Sequence, residues 1–284
     1  MKQTRFVKLA GCGNDFILVD ARKKGLSGNP SRLARSWCDR RRGIGADGLL
    51  LTLPSRKADA RMRIFNSDGS EAEMCGNGLR CMVWYLHSHN GRHWPESRGE
   101  ASSSRSHREI TVDTRAGLMR AEVISSDRVR VFLSRPKNLH LGQKLKAAGK
   151  SCQVHSVNSG VPHAVLLTSR LEKTDLSTLG PAIRHHKAFK PAGTNVNLMR
   201  IESPHRIEIR TFERGVEGET LACGTGAVAA VLIGTALGRL QPPVQVKTAG
   251  GESLRVGFTQ NRKPWEDLYL EGPVRTLFEG GVPR

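Results

Sequence analysis

Three blocks of this 284-residue chain occur twice, in the same order and at nearly the same spacing. Gly13-Asn14-Asp15-Phe16-Ile17-Leu18-Val19 is echoed 147 residues on by Gly160-Val161-Pro162-His163-Ala164-Val165-Leu166. Gly45-Ala46-Asp47-Gly48-Leu49-Leu50 is echoed 148 residues on by Gly193-Thr194-Asn195-Val196-Asn197-Leu198. The stretch from Phe65-Asn66 to Cys75 matches that from Phe212-Glu213 to Cys223, at offsets of 147 and 148. Chance similarity does not keep a constant spacing, so the chain reads as two homologous halves. Its length suits two domains, each able to bury a core.

The third block ends on the feature with the most chemistry. Met74-Cys75-Gly76-Asn77-Gly78 and Ala222-Cys223-Gly224-Thr225-Gly226 are both Cys-Gly-X-Gly turns opening apolar stretches. The second stretch runs from Ala227 to Leu237 without a charge, as expected of a buried helix. A helix N-terminus offers unpaired N–H groups and a positive dipole end. A thiol there is expected to have a lowered pKa, and a carboxylate could bind beside it. Taken singly, either turn reads more readily as an ordinary Gly-rich helix start with a small buried cysteine. Recurrence favours the other reading, in which each half gives one thiol to a shared cleft.

Short or alternating apolar runs bounded by turn residues predict strands at 5–9, 16–20, 46–52, 61–65, 109–114, 118–124 and 128–133. In the second half they fall at 152–158, 164–168, 196–201, 206–212, 244–248, 252–258, 267–271 and 274–278. Helices fit at 31–41, with Ser31 as cap, and at 76–89, 176–187 and 223–238. Many strands around one apolar helix per half give an α+β class. The halves divide near Ala116-Gly117: 1–117 plus about 272–284 carries Cys75, and 118–271 carries Cys223. Segment 90–108, rich in Ser, Gly, Arg and His, reads as an exposed, mobile loop.

The six cysteines contain no Cys-x-x-Cys and no zinc-like Cys/His spacing, so no metal is expected. Leu9-Ala10-Gly11-Cys12 looks like a lipoprotein cleavage box, but only Phe6-Val7 precedes it as an apolar core, interrupted by Lys8. No apolar run has membrane-spanning length. The expectation is a cytoplasmic protein with reduced thiols. The net charge of +19 raises nucleic-acid binding. With 5% aromatic residues and no recognition motif, that remains the weaker reading, and a solvated basic surface the stronger.

Taken with Asn158-Ser159-Gly160-Val161-Pro162-His163 and Glu213-Arg214-Gly215, these blocks resemble the diaminopimelate epimerase family over nearly the whole chain. The resemblance implies two pseudo-symmetric domains, each a mixed β-sheet wrapped as a barrel around a central helix, with the site between them. It implies epimerisation of L,L-2,6-diaminopimelate to the meso form without cofactor, in lysine and cell-wall precursor synthesis, by a homodimer. By motif position, Cys75 and Cys223 are the acid/base pair, supported by His163 and Glu213. Asn66, Asn195 and Arg214 hold the far end of the substrate, with Asn14 also lining the site, and the N–H groups of Gly76, Asn77, Gly224 and Thr225 suit its reacting carboxylate. Inverting a Cα needs a base on one face and an acid on the other, which two thiols supply.

Val161 departs from an asparagine frequent in the family, Gly48 from a glutamine of some members, and Phe212 from a frequent tyrosine. A proline or hydroxyproline racemase also uses two cysteines, but its small cyclic substrate gives less reason for Glu213-Arg214 and the asparagine clamp. Phenazine-type isomerases share the architecture and typically lack the cysteine pair. A nucleic-acid-binding protein on the same scaffold and a redox-switched protein are the readings from other classes.

Overall fold

In the computed structural model, residues 3–23, 25–89, 109–259 and 264–283 are described; segment 90–108, expected to be a loop, lies outside them. The chain divides into two compact units, Met1–Phe132 with Gly272–Arg284, and Leu133–Glu271.

The first unit begins with β1 (Gln3–Gly11), β2 (Asn14–Asp20), α1 (Pro30–Trp37), β3 (Gly48–Leu53), β4 (Ala60–Asn66) and β5 (Glu71–Ala72). It continues with α2 (Gly76–His89), β6 (Glu109–Thr114), β7 (Gly117–Ser125) and β8 (Arg128–Phe132). The second holds β9 (Lys137–Ala147), β10 (Lys150–Asn158), β11 (Pro162–Leu167), α3 (Leu176–Arg184), β12 (Asn195–Ser203) and β13 (Arg206–Glu213). After these come β14 (Gly218–Thr220), α4 (Gly224–Ala236), β15 (Val244–Lys247), β16 (Ser253–Thr259) and β17 (Glu266–Pro273). The last strand, β18 (Arg275–Pro283), returns to the first unit.

The two units repeat one topology. The first runs β18-β1-β2-β3-β4-β6-β7-β8, with β5 also on β4. The second runs β9-β10-β11-β12-β13-β15-β16-β17, with β14 also on β13. The β2/β3 and β4/β6 pairs are parallel, as are β11/β12 and β13/β15; the other neighbours are antiparallel. Phe16 faces Gly48 and Leu49 faces Phe65, where His163 faces Asn195 and Val196 faces Phe212. The registers of β2, β3 and β4 therefore recur in β11, β12 and β13 at an offset of 147. The apparent 148 between Gly45 and Gly193 is one extra residue in the first loop, so Gly48, not Asp47, corresponds to Asn195.

Each sheet is buried on both faces in its central strands, which is why these read as continuous apolar runs. Side chains alternate between the faces. Ile17, Val19, Leu49, Leu51 and Phe65 pack with Ala34 and Trp37 of α1 on the outside. Leu50 and Ile64 point the other way, onto Gly78 of α2. In the second unit, Ala164, Leu166, Val196, Leu198 and Phe212 form a cluster with Leu176 and Ile183 of α3. The helix α2 touches β1, β2, β3, β4, β7 and β8, and α4 touches β10, β11, β12, β13 and β16, so each sheet curls round its helix. Nine residues of α4 are buried, which its unbroken apolar sequence requires.

Some boundaries differ from expectation for identifiable reasons. Thr114 pairs with Gly117, so Arg115-Ala116 is the tip of a hairpin and not the divide between halves; β7 and β8 continue the first sheet. Helix α1 begins earlier and ends sooner than 31–41: Asn29, not Ser31, caps it by accepting from Arg32 N–H, with Pro30 in the first turn. Beyond Cys38, Asp39 accepts from the N–H groups of Arg41 and Arg42 and turns the chain away. Helix α3 ends at Arg184, and a 3-10 turn follows at Lys187–Phe189. Strand β9 was not anticipated, because its lysines and histidine mask the alternation along a mostly exposed strand.

The packing predicts that Ile233→Ala, at a fully buried position of α4, lowers the unfolding free energy by about 2–5 kcal/mol. Leu277→Ala, at a position 50% exposed, changes it by under about 0.5 kcal/mol. Urea denaturation of both variants checks this.

Candidate active site

Cys75 and Cys223 each stand immediately before their helix. Leu79 N–H donates to the Cys75 carbonyl and Ala227 N–H to that of Cys223, the first bonds of α2 and α4. The second glycine of each turn is a packing requirement. A Cβ on Gly226 would lie 2.4 Å from Asn197 Oδ1 and 3.3 Å from Cys223 Sγ. On Gly78 it would meet Leu50 Cδ2 at 3.0 Å and Ile64 Cδ1 at 3.3 Å. The intervening glycines differ: a Cβ on Gly76 would meet nothing within 4 Å, whereas on Gly224 it would come within 2.8 Å of Leu270.

In the first unit, Gly78 N–H reaches Cys75 Sγ at 3.4 Å. Behind the thiol runs a hydrogen-bonded line. Fully buried Arg80 donates from Nη2 to Asn77 Oδ1 at 2.5 Å, and Asn77 Nδ2 donates to Asn14 Oδ1 at 2.7 Å. Asn14 Nδ2 then donates to Asp47 Oδ2 at 3.0 Å. Arg40 bridges Asp47 and Asp15, and buried Lys8 pairs with Asp15 at 2.7 Å. Burial alone would raise the Asp15 carboxyl, but the hydrogen bonds and charges of Arg40 and Lys8 outweigh it and hold it at about 2. One arginine of the Arg40-Arg41-Arg42 run is thus part of this scaffold. Asn66 stands apart from the line, at the exposed end of β4, donating to Ser70 Oγ at 2.9 Å.

In the second unit, Thr225 Oγ1 lies 3.5 Å from Cys223 Sγ and 2.9 Å from His163 Nε2. Asn197 Nδ2 meets His163 Nδ1 at 3.0 Å. Burial, helped by the nearby charge of Arg214, lowers the His163 pKa to about 3, so the ring is neutral. Glu213 accepts from Thr220 Oγ1 at 2.9 Å, and burial raises its carboxyl above the ordinary range. Asn195 ties segments together: its Nδ2 donates to the Pro162 carbonyl, and its Oδ1 accepts from Arg214 N–H at 2.8 Å. The Arg214 side chain reaches the Ala192 carbonyl at 3.2 Å.

The expectation of a lowered thiol pKa at both helix starts does not hold for Cys223. Burial, and next the Glu213 carboxylate, push it up to about 12 against hydrogen bonds from Thr225 and the N–H groups of Gly226 and Thr225. Cys223 therefore rests as a thiol. The six cysteines form no disulfide, and no group of His, Cys, Asp or Glu among the described residues is arranged for a metal.

Asn197 and Arg80 were not singled out from the sequence. Asn197 was legible in principle, because it lies two residues beyond Asn195 and so shares its strand face. Arg80 had no such signal, since a charged residue inside an apolar helix reads as the exposed edge of that helix. Among the departures, Phe212 is on the outer face, its ring filling the space that a Cβ on Gly180 would need. Gly48 could take a side chain only by displacing the Phe65 carbonyl, 2.9 Å from an added Cβ.

The model of the family described as diaminopimelate epimerase matches residues 6–137 and 155–277. A diaminopimelate epimerase of Chlorobaculum tepidum is 42% identical over 279 residues, covering 96% of this chain and 99% of that protein. One of Carboxydothermus hydrogenoformans is 41% identical over 288 residues, covering 97% and 98%. Among solved structures, a phenazine biosynthesis protein of the PhzF family from Bacillus anthracis superposes with a TM-score of 0.73 at 14% identity, covering all of both chains. A probable proline racemase from Agrobacterium radiobacter K84 gives 0.68 at 17% identity, covering 99% of this chain and 93% of that one. These distant likenesses share the fold.

Gly226→Ala is predicted to lose about 1–3 kcal/mol of stability through the contact with Asn197, whereas Gly76→Ala stays within about 0.5 kcal/mol of the parent; urea midpoints measure both. Because folding depresses the His163 pKa, the unfolded chain binds more protons below the ordinary histidine value of 6.5. The His163 contribution is therefore complete above about pH 6.5 and is lost as pH falls toward about 3. His163→Gln should show a smaller fall in unfolding free energy, from urea denaturation, between pH 7 and pH 5 than the parent, by about 1–2 kcal/mol.

Proposed function

From membership of the chain in the diaminopimelate epimerase family, we propose that it interconverts L,L-diaminopimelate and the meso form by proton transfer between two thiols. The observation that carries this is the pair of cysteines at the starts of α2 and α4, each beside the N-terminal N–H groups of its helix. In the L,L direction, partly exposed Cys75 is the base, and Cys223, held as a thiol by its burial, is the acid. One S–H bond breaks as the new Cα–H bond forms, while the departing α-proton ends on the other sulfur.

The N–H groups of Gly76, Asn77, Gly224 and Thr225 are suited to the reacting carboxylate, where they stabilise the charge that builds as the carbanion forms. Arg214 is the candidate clamp for the distal carboxylate, since a planar guanidinium meets one bidentately; Asn14, Asn66 and Asn195 line or order that end. Glu213 and His163 shape the surroundings of Cys223. The chemistry calls for no cofactor, because the two thiols supply both proton transfers. A cytoplasmic setting fits six cysteines that form no disulfide, and no helix among the described residues is long and apolar enough to cross a membrane. A homodimer belongs to the same reading: Leu277 and Phe278 leave apolar surface on β18, which among the described residues pairs only with β1. The +19 charge supports no nucleic-acid role in this reading.

Reduced protein incubated with L,L-diaminopimelate is expected to yield the meso form, and to leave L-proline unchanged. Cys75→Ala and Cys223→Ala should each lower the epimerisation rate by at least about 10²–10⁴-fold with the fold retained. Turnover of L-proline instead would move the assignment to a racemase, and full activity in either variant would remove the two-thiol mechanism.

A further inference from the structure

The hydrogen bonds behind Cys223 have a direction, and the directions can be assigned one by one. Asn197 is fully buried, and its Nδ2 sits 3.1 Å from the Ala164 carbonyl, which can only accept. Its Oδ1 takes the hydroxyl of Thr211 at 2.9 Å. The amide therefore has one orientation, with Nδ2 also facing His163 Nδ1 at 3.0 Å. An amide nitrogen has no lone pair to offer, so Nδ1 must be the acceptor. A neutral ring whose Nδ1 accepts carries its proton on Nε2. That Nε2–H donates to Thr225 Oγ1 at 2.9 Å, which leaves the threonine proton free to point at Cys223 Sγ, 3.5 Å away.

From this we infer that Asn197 is a positioning residue: by fixing the Nε2–H tautomer of His163, it holds the Thr225 hydroxyl as a permanent hydrogen-bond donor to the Cys223 sulfur. His163 is then not the base that deprotonates Cys223. The one nitrogen lone pair of its neutral ring, on Nδ1, is already taken by Asn197, and Nε2 bears the proton. When Cys223 gives its proton to the substrate Cα, the electron pair of the S–H bond stays on sulfur, where the Thr225 O–H is already aimed. In the reverse direction the proton returns to sulfur from the substrate Cα. The donor costs no reorganisation at the moment of transfer.

The corresponding positions of the first unit carry no such side chains. By strand register, Phe16 stands where His163 does and Leu50 where Asn197 does, and both are apolar. The proposal deepens the epimerase reading and rests on it for its catalytic meaning. The tautomer and the sulfur contact are nevertheless measured without substrate, so failure of one is separable from failure of the other.

The tautomer is read by long-range ¹H–¹⁵N NMR of the histidine rings, with His163 assigned by its absence from His163→Gln. The parent is expected to show a single Nε2–H form, and Asn197→Leu to lose that uniformity. The sulfur contact is read as the rate of Cys223 alkylation by iodoacetamide at pH 8 in a Cys75→Ala background, followed by peptide mass spectrometry. Loss of one hydrogen bond to a charged sulfur should slow it about ten-fold in Thr225→Val, and Thr225→Ser should restore it. This pair keeps the test intact if Asn197→Leu fails to fold. An Nδ1–H tautomer in the parent, or equal rates in Thr225→Val and Thr225→Ser, would overturn the proposal.

Discussion

The structure depends on bringing the first turn of a buried helix against the inner face of a curled sheet. A helix start carries unpaired N–H groups, and placing them inside a protein is costly unless partners are at hand. Here the second glycine of each Cys-Gly-X-Gly turn removes the side chain that would hold the helix away. Gly78 admits Leu50, and Gly226 admits Asn197. The same approach fixes where each thiol stands, since each cysteine is one residue outside the helix that the glycine seats. Strand alternation then decides what surrounds the thiols. Residues of one parity build the outer cores with α1 and α3, and those of the other parity face α2 and α4.

The repeat supplies two equal frames, but the side chains placed on them are unequal. Cys75 has a backbone N–H at its sulfur and a line of asparagines and ion pairs behind it. Cys223 is more deeply buried, beside a threonine, a neutral histidine and a carboxyl raised by burial. A reaction that removes a proton with one group and returns it with another has use for such a difference, because one thiol must begin protonated. Duplication followed by divergence of a few inward positions accounts for both the symmetry and its breaking.

Much of this was legible in the chain. The repeat, the central helices and the two cysteine positions at their starts all follow from offsets and apolar runs. The division between units was not, because Ala116-Gly117 reads as a boundary when only turn signals are counted, whereas cross-strand pairing makes it a hairpin tip. The partners of the thiols were partly hidden for a similar reason. His163 and Glu213 stand in recognisable motifs, but Asn197 gains its meaning only when the parallel pairing of β11 and β12 sets it beside His163. The lowered thiol pKa expected of a helix start fails at Cys223 because desolvation depends on depth in the core, which no local pattern encodes.

The central claim is that two separate thiols handle the proton. The measurement that tests it most directly is the deuterium content at Cα of both product and unreacted substrate, at low conversion of L,L-diaminopimelate in D₂O. Two thiols, one removing and one supplying, predict that the newly formed meso product carries solvent deuterium at the inverted centre while unreacted substrate remains almost wholly protiated. Meso product that retains the substrate's own proton would contradict the account, because a single group would then be carrying it from one face to the other.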